Sequence, residues 1–169
     1  MLIKGKVLKI LEENKGKNIS GEEIAKKLNI SRTSIWKAIN ALRSEGYTIN
    51  AVTNKGYSLA TNTDFISKEG ISLYLNNEYS KIDIYTYKLV SSTNDVAKTL
   101  ALNGAKHGTV TISEEQSVGK GRLGRVFYSP ANTGIYMSII LRPNLTAMDS
   151  VLITTSASVA ICNAIQKVT

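Results

Sequence analysis

The chain has 169 residues, and a hydrophobic fraction of 43% excludes a disordered or fibrous protein while leaving room for one domain or two small ones. Its formal net charge of +8 is uneven: residues 1–60 carry 11 basic and 5 acidic side chains and residues 61–169 carry 10 and 8, so any polyanion-seeking part is the N-terminal third. A single cysteine, Cys162, and a single histidine, His107, exclude a disulfide framework and a zinc site of about four such ligands; with no secretory apolar segment and no run near the ~20 apolar residues of a bilayer span, a cytoplasmic protein without a membrane partner is expected.

Ile3, Val7, Ile10 and Leu11 recur at helical spacing and predict a first helix to about Asn14, with all four turned inward. Ser20 followed by Glu23 is a capping-box pattern, which predicts a short second helix to Leu28 with Ile24, Ala25 and Leu28 inside. After the turn at Asn29 and Ile30, Ser31 caps a third helix whose inner face is Ile35, Ala38, Ile39 and Leu42, stopped at Gly46. The runs Tyr47–Val52 and Tyr57–Leu59, around Thr53-Asn54-Lys55-Gly56, predict a β-hairpin. Three helices and a hairpin in this order make a winged helix-turn-helix over residues 1–62.

In that arrangement the third helix enters the DNA major groove and the wing reaches the backbone. Arg32 and Lys37 would supply phosphate or guanine contacts, Thr33, Ser34 and Asn40 short hydrogen bonds, and Lys55 a contact from the wing tip. Two plainer readings stay open: a protein-interaction scaffold with a solvated basic face, and Trp36 as a packing residue rather than a DNA contact.

Beyond the polar linker Thr61–Asp64, the pattern predicts a helix from Ser67 to about Leu75, a strand Ile82–Leu89, and a helix to about Leu102 with N-cap candidates in Ser91-Ser92-Thr93-Asn94-Asp95. A strand Thr109–Ser113 follows. The segment Gly119-Lys120-Gly121-Arg122-Leu123-Gly124-Arg125 then sets three glycines among three cations. Backbone N–H groups at such glycines can approach a ligand closely and the cations favour an anion, so this is an anion-binding loop. A strand Gly134–Leu141 and a long helix capped by Thr146 and Asp149 complete the chain.

Gly119, Gly121 and Gly124 satisfy G-x-G-x-x-G, yet Pro130, Asn132 and Gly134 announce turns and a strand where a dinucleotide fold needs a helix. A kinase loop needs a strand lysine shortly downstream, and after Lys120 the next lysine is Lys167. Both readings fail.

A winged helix-turn-helix followed by Ser92-Thr93-Asn94, then Gln116, then GKGRLGRVFYSP resembles the bifunctional biotin protein ligase and biotin operon repressor family. The family's loop is Gly-Arg-Gly-Arg-x-Gly-Arg-x-Trp-x-Ser-Pro, so Lys120 stands for its first arginine and Phe127 for its tryptophan. The resemblance implies an α+β chain in which the winged domain is followed by an incomplete mixed α/β ligase catalytic domain, residues 63–169. It implies that biotin and ATP, with Mg2+ on the nucleotide, form biotinyl-5'-AMP, and that biotin passes to a lysine of the biotin carboxyl carrier protein of acetyl-CoA carboxylase. Operator DNA and a homodimer formed on ligand binding are the other implied partners.

Carried over by motif, Ser92, Thr93, Asn94 and Gln116 would meet biotin's ureido ring. Gly119, Lys120, Gly121 and Arg122 would clasp the carboxylate and phosphates, with Arg122 stabilising the charge that develops during adenylation. Arg125 would serve loop ordering or dimer contact, and the loop composition suits a mobile lid. Taken without the loop, Ser92, Thr93 and Asn94 could be no more than a helix cap; His107, Cys162 and Tyr136 read as structural. The family's Lys-Trp-Pro-Asn-Asp motif is missing, since Trp36 is the only tryptophan. The chain is therefore expected to cover the first half of a family member, with a last helix whose nearly all-apolar surface suits packing on both sides but is left uncovered here, and with catalysis by it alone impaired. A ligand-sensing winged-helix regulator without catalysis is the alternative.

Overall fold

Three helices and a two-stranded sheet build the first part of the structure, a computed structural model that describes residues 2–144, 146 and 149–169. Helix α1 (Ile3–Glu13) buries Val7, Leu8, Ile10 and Leu11. Ile3, expected inside, is 44% exposed, because it stands in the first turn at the rim of the core. Helix α2 (Gly21–Leu28) starts where the Ser20 hydroxyl accepts the Glu23 N–H at 3.0 Å, and Asn29 ends it in a left-handed conformation. Helix α3 (Arg32–Ser44) starts in the same way on Ser31 and turns Ile35, Ala38, Ile39 and Leu42 inward. These residues join those of α1 and α2, with Ile19, Ile49 and Leu59, in one apolar core.

Strands β1 (Ile49–Val52) and β2 (Gly56–Leu59) pair antiparallel and form the wing. The predicted first strand began at Tyr47. That residue instead packs against Phe65 with the rings tilted at 44°, centroids 5.1 Å apart, and pairing starts at Ile49. Ile19 adds a bridge to Tyr57, and a Cβ at Gly56 would stand 2.1 Å from the Ile19 carbonyl oxygen. With φ of +94° as well, Gly56 must be glycine.

The second part contains α4 (Lys68–Ser72), β3 (Ile84–Val90), α5 (Thr93–Leu102), β4 (Val110–Gln116), a 3-10 turn (Arg122–Gly124), β5 (Tyr136–Ile139) and α6 (Val151–Gln166). Strands β3 and β4 are parallel and joined through α5; β5 pairs antiparallel on the other side of β4, giving the order β3-β4-β5. Helix α4 is shorter than predicted. Strand β4 is longer: Glu115 and Gln116 look like loop residues, yet their backbones pair with Leu89 and Val90.

The predicted start of the last helix, at Thr146, adjoins residues 147 and 148, which lie outside the described residues. The Thr146 hydroxyl donates to the Asp149 carboxylate at 2.7 Å, and the regular helix begins at Val151. Among the described residues that helix stands uncovered, as expected of its apolar surface in this chain. Leu152, Val159, Ile161 and Ile165 are each more than half exposed, because no described element covers α6.

The two parts meet along α1, α4 and β3. Lys4 pairs with the Glu45 carboxylate, and the Lys88 ammonium donates to the Glu45 carbonyl while lying 5.1 Å from the Phe65 ring centroid. The Ser67 hydroxyl donates to Glu12 at 3.3 Å, and Lys15 donates to the Thr63 carbonyl at 2.8 Å. Among the described residues no helix is long and apolar enough to cross a membrane.

Candidate ligand-binding and nucleic-acid sites

Parallel pairing of β3 and β4, with Val90 opposite Gln116, sets the carboxyl ends of both strands on one edge of the sheet. In α/β units this edge is where ligands bind, because the loops leaving the strands and the N-terminus of the following helix converge there. The turn from β3 into α5 carries Ser92, Thr93 and Asn94, and β4 ends at Gln116. Sequence neighbours of one segment are thus brought against a residue more than 20 positions away.

The contact is specific. The Gln116 side-chain oxygen accepts the Thr93 N–H at 2.8 Å and the Thr93 hydroxyl at 3.2 Å. The Thr93 carbonyl is braced by the buried Thr111 hydroxyl, and the Ser138 hydroxyl of β5 lies 2.9 Å from the Thr93 Oγ1 and 2.8 Å from the Asn94 Oδ1. All four predicted residues of the turn and strand end are therefore in one place, joined by Thr111 and Ser138, which the sequence pattern does not single out.

Ser92 departs from the plain helix-cap reading. It occupies the N-cap position of α5 but its side chain makes no cap bond. The hydroxyl is buried, with the residue 1% exposed, and finds no partner among the described residues. A buried hydroxyl without a partner carries a desolvation cost.

The glycine-cation segment folds back on itself. Gly121 N–H donates to the Arg125 carbonyl, Phe127 N–H to the Gly119 carbonyl, both at 2.8 Å, and Lys120 bridges Val126. The segment forms a short hairpin whose tip is Arg122-Leu123-Gly124, with Leu123 and Gly124 both at positive φ. Its base is tied to the site: Gln116 N–H donates to the Ser129 carbonyl at 3.0 Å, and the Gln116 side-chain amide donates to the Ser129 hydroxyl at 3.0 Å. A Cβ on Gly119 would come within 2.2 Å of the Phe127 carbonyl oxygen, so the first glycine is a packing requirement. Lys120 is held by Asp95 in the first turn of α5, while the side chains of Arg122 and Arg125 are exposed and unpaired among the described residues.

The residues read as structural keep that role in part. Tyr136 is buried and its hydroxyl donates to the Pro130 carbonyl at 2.9 Å. His107 Nδ1 accepts the Arg142 N–H at 3.0 Å, whereas Cys162 is exposed on α6.

On the winged part, Arg32, Thr33 and Lys37 are exposed on α3 and Lys55 is exposed at the wing tip. Ser34 and Asn40 are half-buried, and the Ser34 hydroxyl lies 2.9 Å from that of Ser31. A groove of about 440 Å³ runs between the start of α2, Arg32 and the wing residues Ala51–Asn54. Trp36 is 55% exposed on the same helix. Arg43 is withdrawn: its guanidinium donates from Nε and Nη2 to the Ile49 carbonyl at 2.9 and 2.7 Å and fastens α3 to β1.

Residues 4–58 match the HTH domain family and residues 86–169 match the biotin/lipoate A/B protein ligase family. The chain is 37% identical over 149 residues to the bifunctional ligase/repressor BirA of Bacillus subtilis (strain 168), a match covering 88% of this chain and 46% of that protein. It is 31% identical over 123 residues to the bifunctional ligase/repressor BirA of Escherichia coli (strain K12), covering 73% and 37%. A solved biotin protein ligase from Leishmania major, in complex with biotinyl-5-AMP, is 33% identical over 32% of this chain and 22% of its own, with a TM-score of 0.30. The chain spans about half the length of the curated relatives it matches, or less.

Proposed function

Because both parts of this chain match the bifunctional ligase/repressor family, we propose that residues 1–62 bind operator DNA and that residues 63–169 contribute the first portion of a ligase domain that handles biotin and its adenylate. The observation that carries the ligand half is the convergence of Ser92, Thr93, Asn94 and Gln116 at the carboxyl edge of β3 and β4, beneath a glycine-cation hairpin. A ureido ring offers one carbonyl acceptor and two N–H donors. The unpartnered Ser92 hydroxyl and the remaining carboxamide capacity of Asn94 and Gln116 suit such a group.

In this reading Gly119 and Gly121 let the hairpin backbone approach the ligand. Lys120 and Arg122 face its carboxylate and phosphates, and Arg122 opposes the charge that grows as biotin's carboxylate attacks the α-phosphorus of ATP and pyrophosphate leaves. Mg2+ enters on the nucleotide; among the described residues no group of three or more His, Cys, Asp and Glu gathers to hold an ion. The ε-amine of a lysine of the biotin carboxyl carrier protein of acetyl-CoA carboxylase then attacks the biotinyl carbonyl of the adenylate, forming an amide as the acyl–phosphate bond breaks and AMP leaves with loss of the amine proton. A homodimer formed on ligand binding completes the proposal, and a cytoplasmic setting suits both substrate and DNA. The 169-residue chain lacks the family's Lys-Trp-Pro-Asn-Asp motif, so its turnover alone is expected to be impaired.

Calorimetric titration of the chain with biotinyl-5'-AMP, with Gln116→Ala as control, tests the ligand half: binding abolished or strongly weakened by the substitution is expected, and no binding by the unaltered chain would overturn it. Binding without any exchange of pyrophosphate into ATP, in a longer chain that includes the missing motif, would favour the ligand-sensing regulator without catalysis. For the DNA half, affinity for a duplex with inverted half-sites should fall steeply as salt rises. A salt-independent or absent interaction would leave the winged part as a scaffold.

A further inference from the structure

We propose that Ser129 is a positioning residue that sets the orientation of the Gln116 carboxamide and so couples the glycine-cation hairpin to the ligand-facing turn at Ser92–Asn94. The ligand reading of that turn is the one given above; the orientation of Gln116 stands on the geometry alone.

Donors and acceptors around the Gln116 carboxamide admit only one orientation of it. A carboxamide has an oxygen with two lone pairs and a nitrogen with two hydrogens, similar in shape and opposite in chemistry. The backbone N–H of Thr93 can only donate, and the Gln116 atom 2.8 Å from it must therefore be the oxygen. The Thr93 hydroxyl uses the second lone pair at 3.2 Å. On the other side the Ser129 hydroxyl gives its one hydrogen to the Phe127 carbonyl at 3.0 Å, which leaves it only lone pairs to offer Gln116. The Gln116 nitrogen meets it at 3.0 Å. Reversing the amide would set donor against donor at Thr93 and lone pair against lone pair at Ser129. One Gln116 N–H then remains for an acceptor on a ligand.

The same serine belongs to the hairpin. It is 2% exposed, its carbonyl accepts the Gln116 N–H, and its hydroxyl would lie 2.5 Å from a Cβ on Gly119. Displacing the hairpin strand that carries Phe127 and Ser129 would remove the partner that holds the Gln116 nitrogen. Closure of the hairpin therefore adds the second of two restraints on the Gln116 carboxamide, the first being Thr93, and Ser129 acts through Gln116 without itself touching ligand.

The test uses nuclear magnetic resonance of the 169-residue chain, following the side-chain amide protons of Gln116. In the unaltered chain one of the two protons should exchange with solvent at least about tenfold more slowly than the other, which corresponds to ~1.4 kcal/mol of protection, and should show a cross-peak to the Ser129 β-protons. Both protons exchanging at the rate of an exposed amide would overturn the proposal without any variant. Ser129→Ala should remove the protection and shift the Gln116 signals, with the backbone signals of Ile35, Ile39 and Leu42 unmoved; unchanged Gln116 signals would overturn it. With titrated biotin as the probe, the variant should bind about tenfold more weakly. Loss of amide protection in Ser129→Ala together with no biotin binding by the unaltered chain would support the role of Ser129 and defeat the biotin reading.

Discussion

Lys120 of the hairpin and Asp95 in the first turn of α5 form an ion pair at 2.7 Å. The lysine that stands where the family's loop has its first arginine is thus already paired, and an incoming anion must compete with the carboxylate for it. Both side chains are more than a third exposed, so the pair is worth no more than about 1 kcal/mol. Asp95→Asn should leave thermal stability nearly unchanged and tighten binding of biotinyl-5'-AMP by up to about fivefold, while Lys120→Ala weakens it. Titration calorimetry at low salt reads both, and weaker binding by Asp95→Asn would show that the carboxylate helps rather than competes.

Gly119 and Gly124 are both loop glycines, and they should respond differently to alanine. A Cβ at Gly119 meets the Phe127 carbonyl oxygen at 2.2 Å and the Ser129 hydroxyl at 2.5 Å, whereas nothing lies within 4 Å of a Cβ at Gly124. Gly119→Ala must open the base of the hairpin and should abolish ligand binding. Gly124→Ala meets only the cost of positive φ, about 1–2 kcal/mol, and should retain most of it. Equal effects of the two substitutions on ligand affinity would contradict this assignment.

Basic residues of the winged part divide by what they touch. Arg32→Ala, Lys37→Ala and Lys55→Ala should each weaken duplex binding, and those that meet phosphate should lower the slope of log affinity against log salt by about 1. Arg43→Ala should act otherwise, because its guanidinium bonds the Ile49 carbonyl through two nitrogens. A loss of folding stability of about 1–3 kcal/mol is expected for it. Fluorescence anisotropy across a salt series, beside chemical denaturation, separates the two classes.

Tyr47, at the junction of the two parts, has its phenol pushed up from 10.0 to about 12, chiefly by burial, with Glu69, Glu12 and Glu45 adding to the shift and Ser67 opposing it. Between those values the folded chain keeps a proton that the unfolded chain releases, so stability must fall as pH rises there. The contribution is intact below pH 10 and lost on passing through about 12. Tyr47→Phe should show a shallower decline over this window in paired denaturation curves. Parallel curves for the two proteins would mean that Tyr47 titrates as an exposed phenol.

Local chemistry made much of the architecture legible. The caps at Ser20 and Ser31, the apolar faces of α1 to α3 and the turn at Asn54-Lys55-Gly56 all depend on neighbours within a few residues, and each reappears in the structure. Strand β4 runs past its predicted end at Ser113: Glu114, Glu115 and Gln116 have loop-like side chains, yet parallel backbone pairing with β3 keeps Glu115 and Gln116 extended. The site was half legible. Ser92, Thr93, Asn94 and Gln116 stood out only through their order alongside the glycine-cation segment. Ser129 and Ser138 carry no periodic or local signal, and the pairing of Lys120 with Asp95 spans 25 positions.

By itself the sequence determined a winged helix-turn-helix with an excess of positive charge, followed by a strand, a helix, a second strand and an anion-seeking loop, since helix caps, apolar periods and glycine spacing are short-range physics. Only the tertiary structure decided that the Ser92 hydroxyl, at the N-cap of α5, is buried without a partner instead of making a cap bond, and that the loop folds as a hairpin on Gln116 and Ser129. Burial and hydrogen-bond partnership are properties of what the rest of the chain brings alongside a residue, and β-strand pairing brings it from far away in sequence.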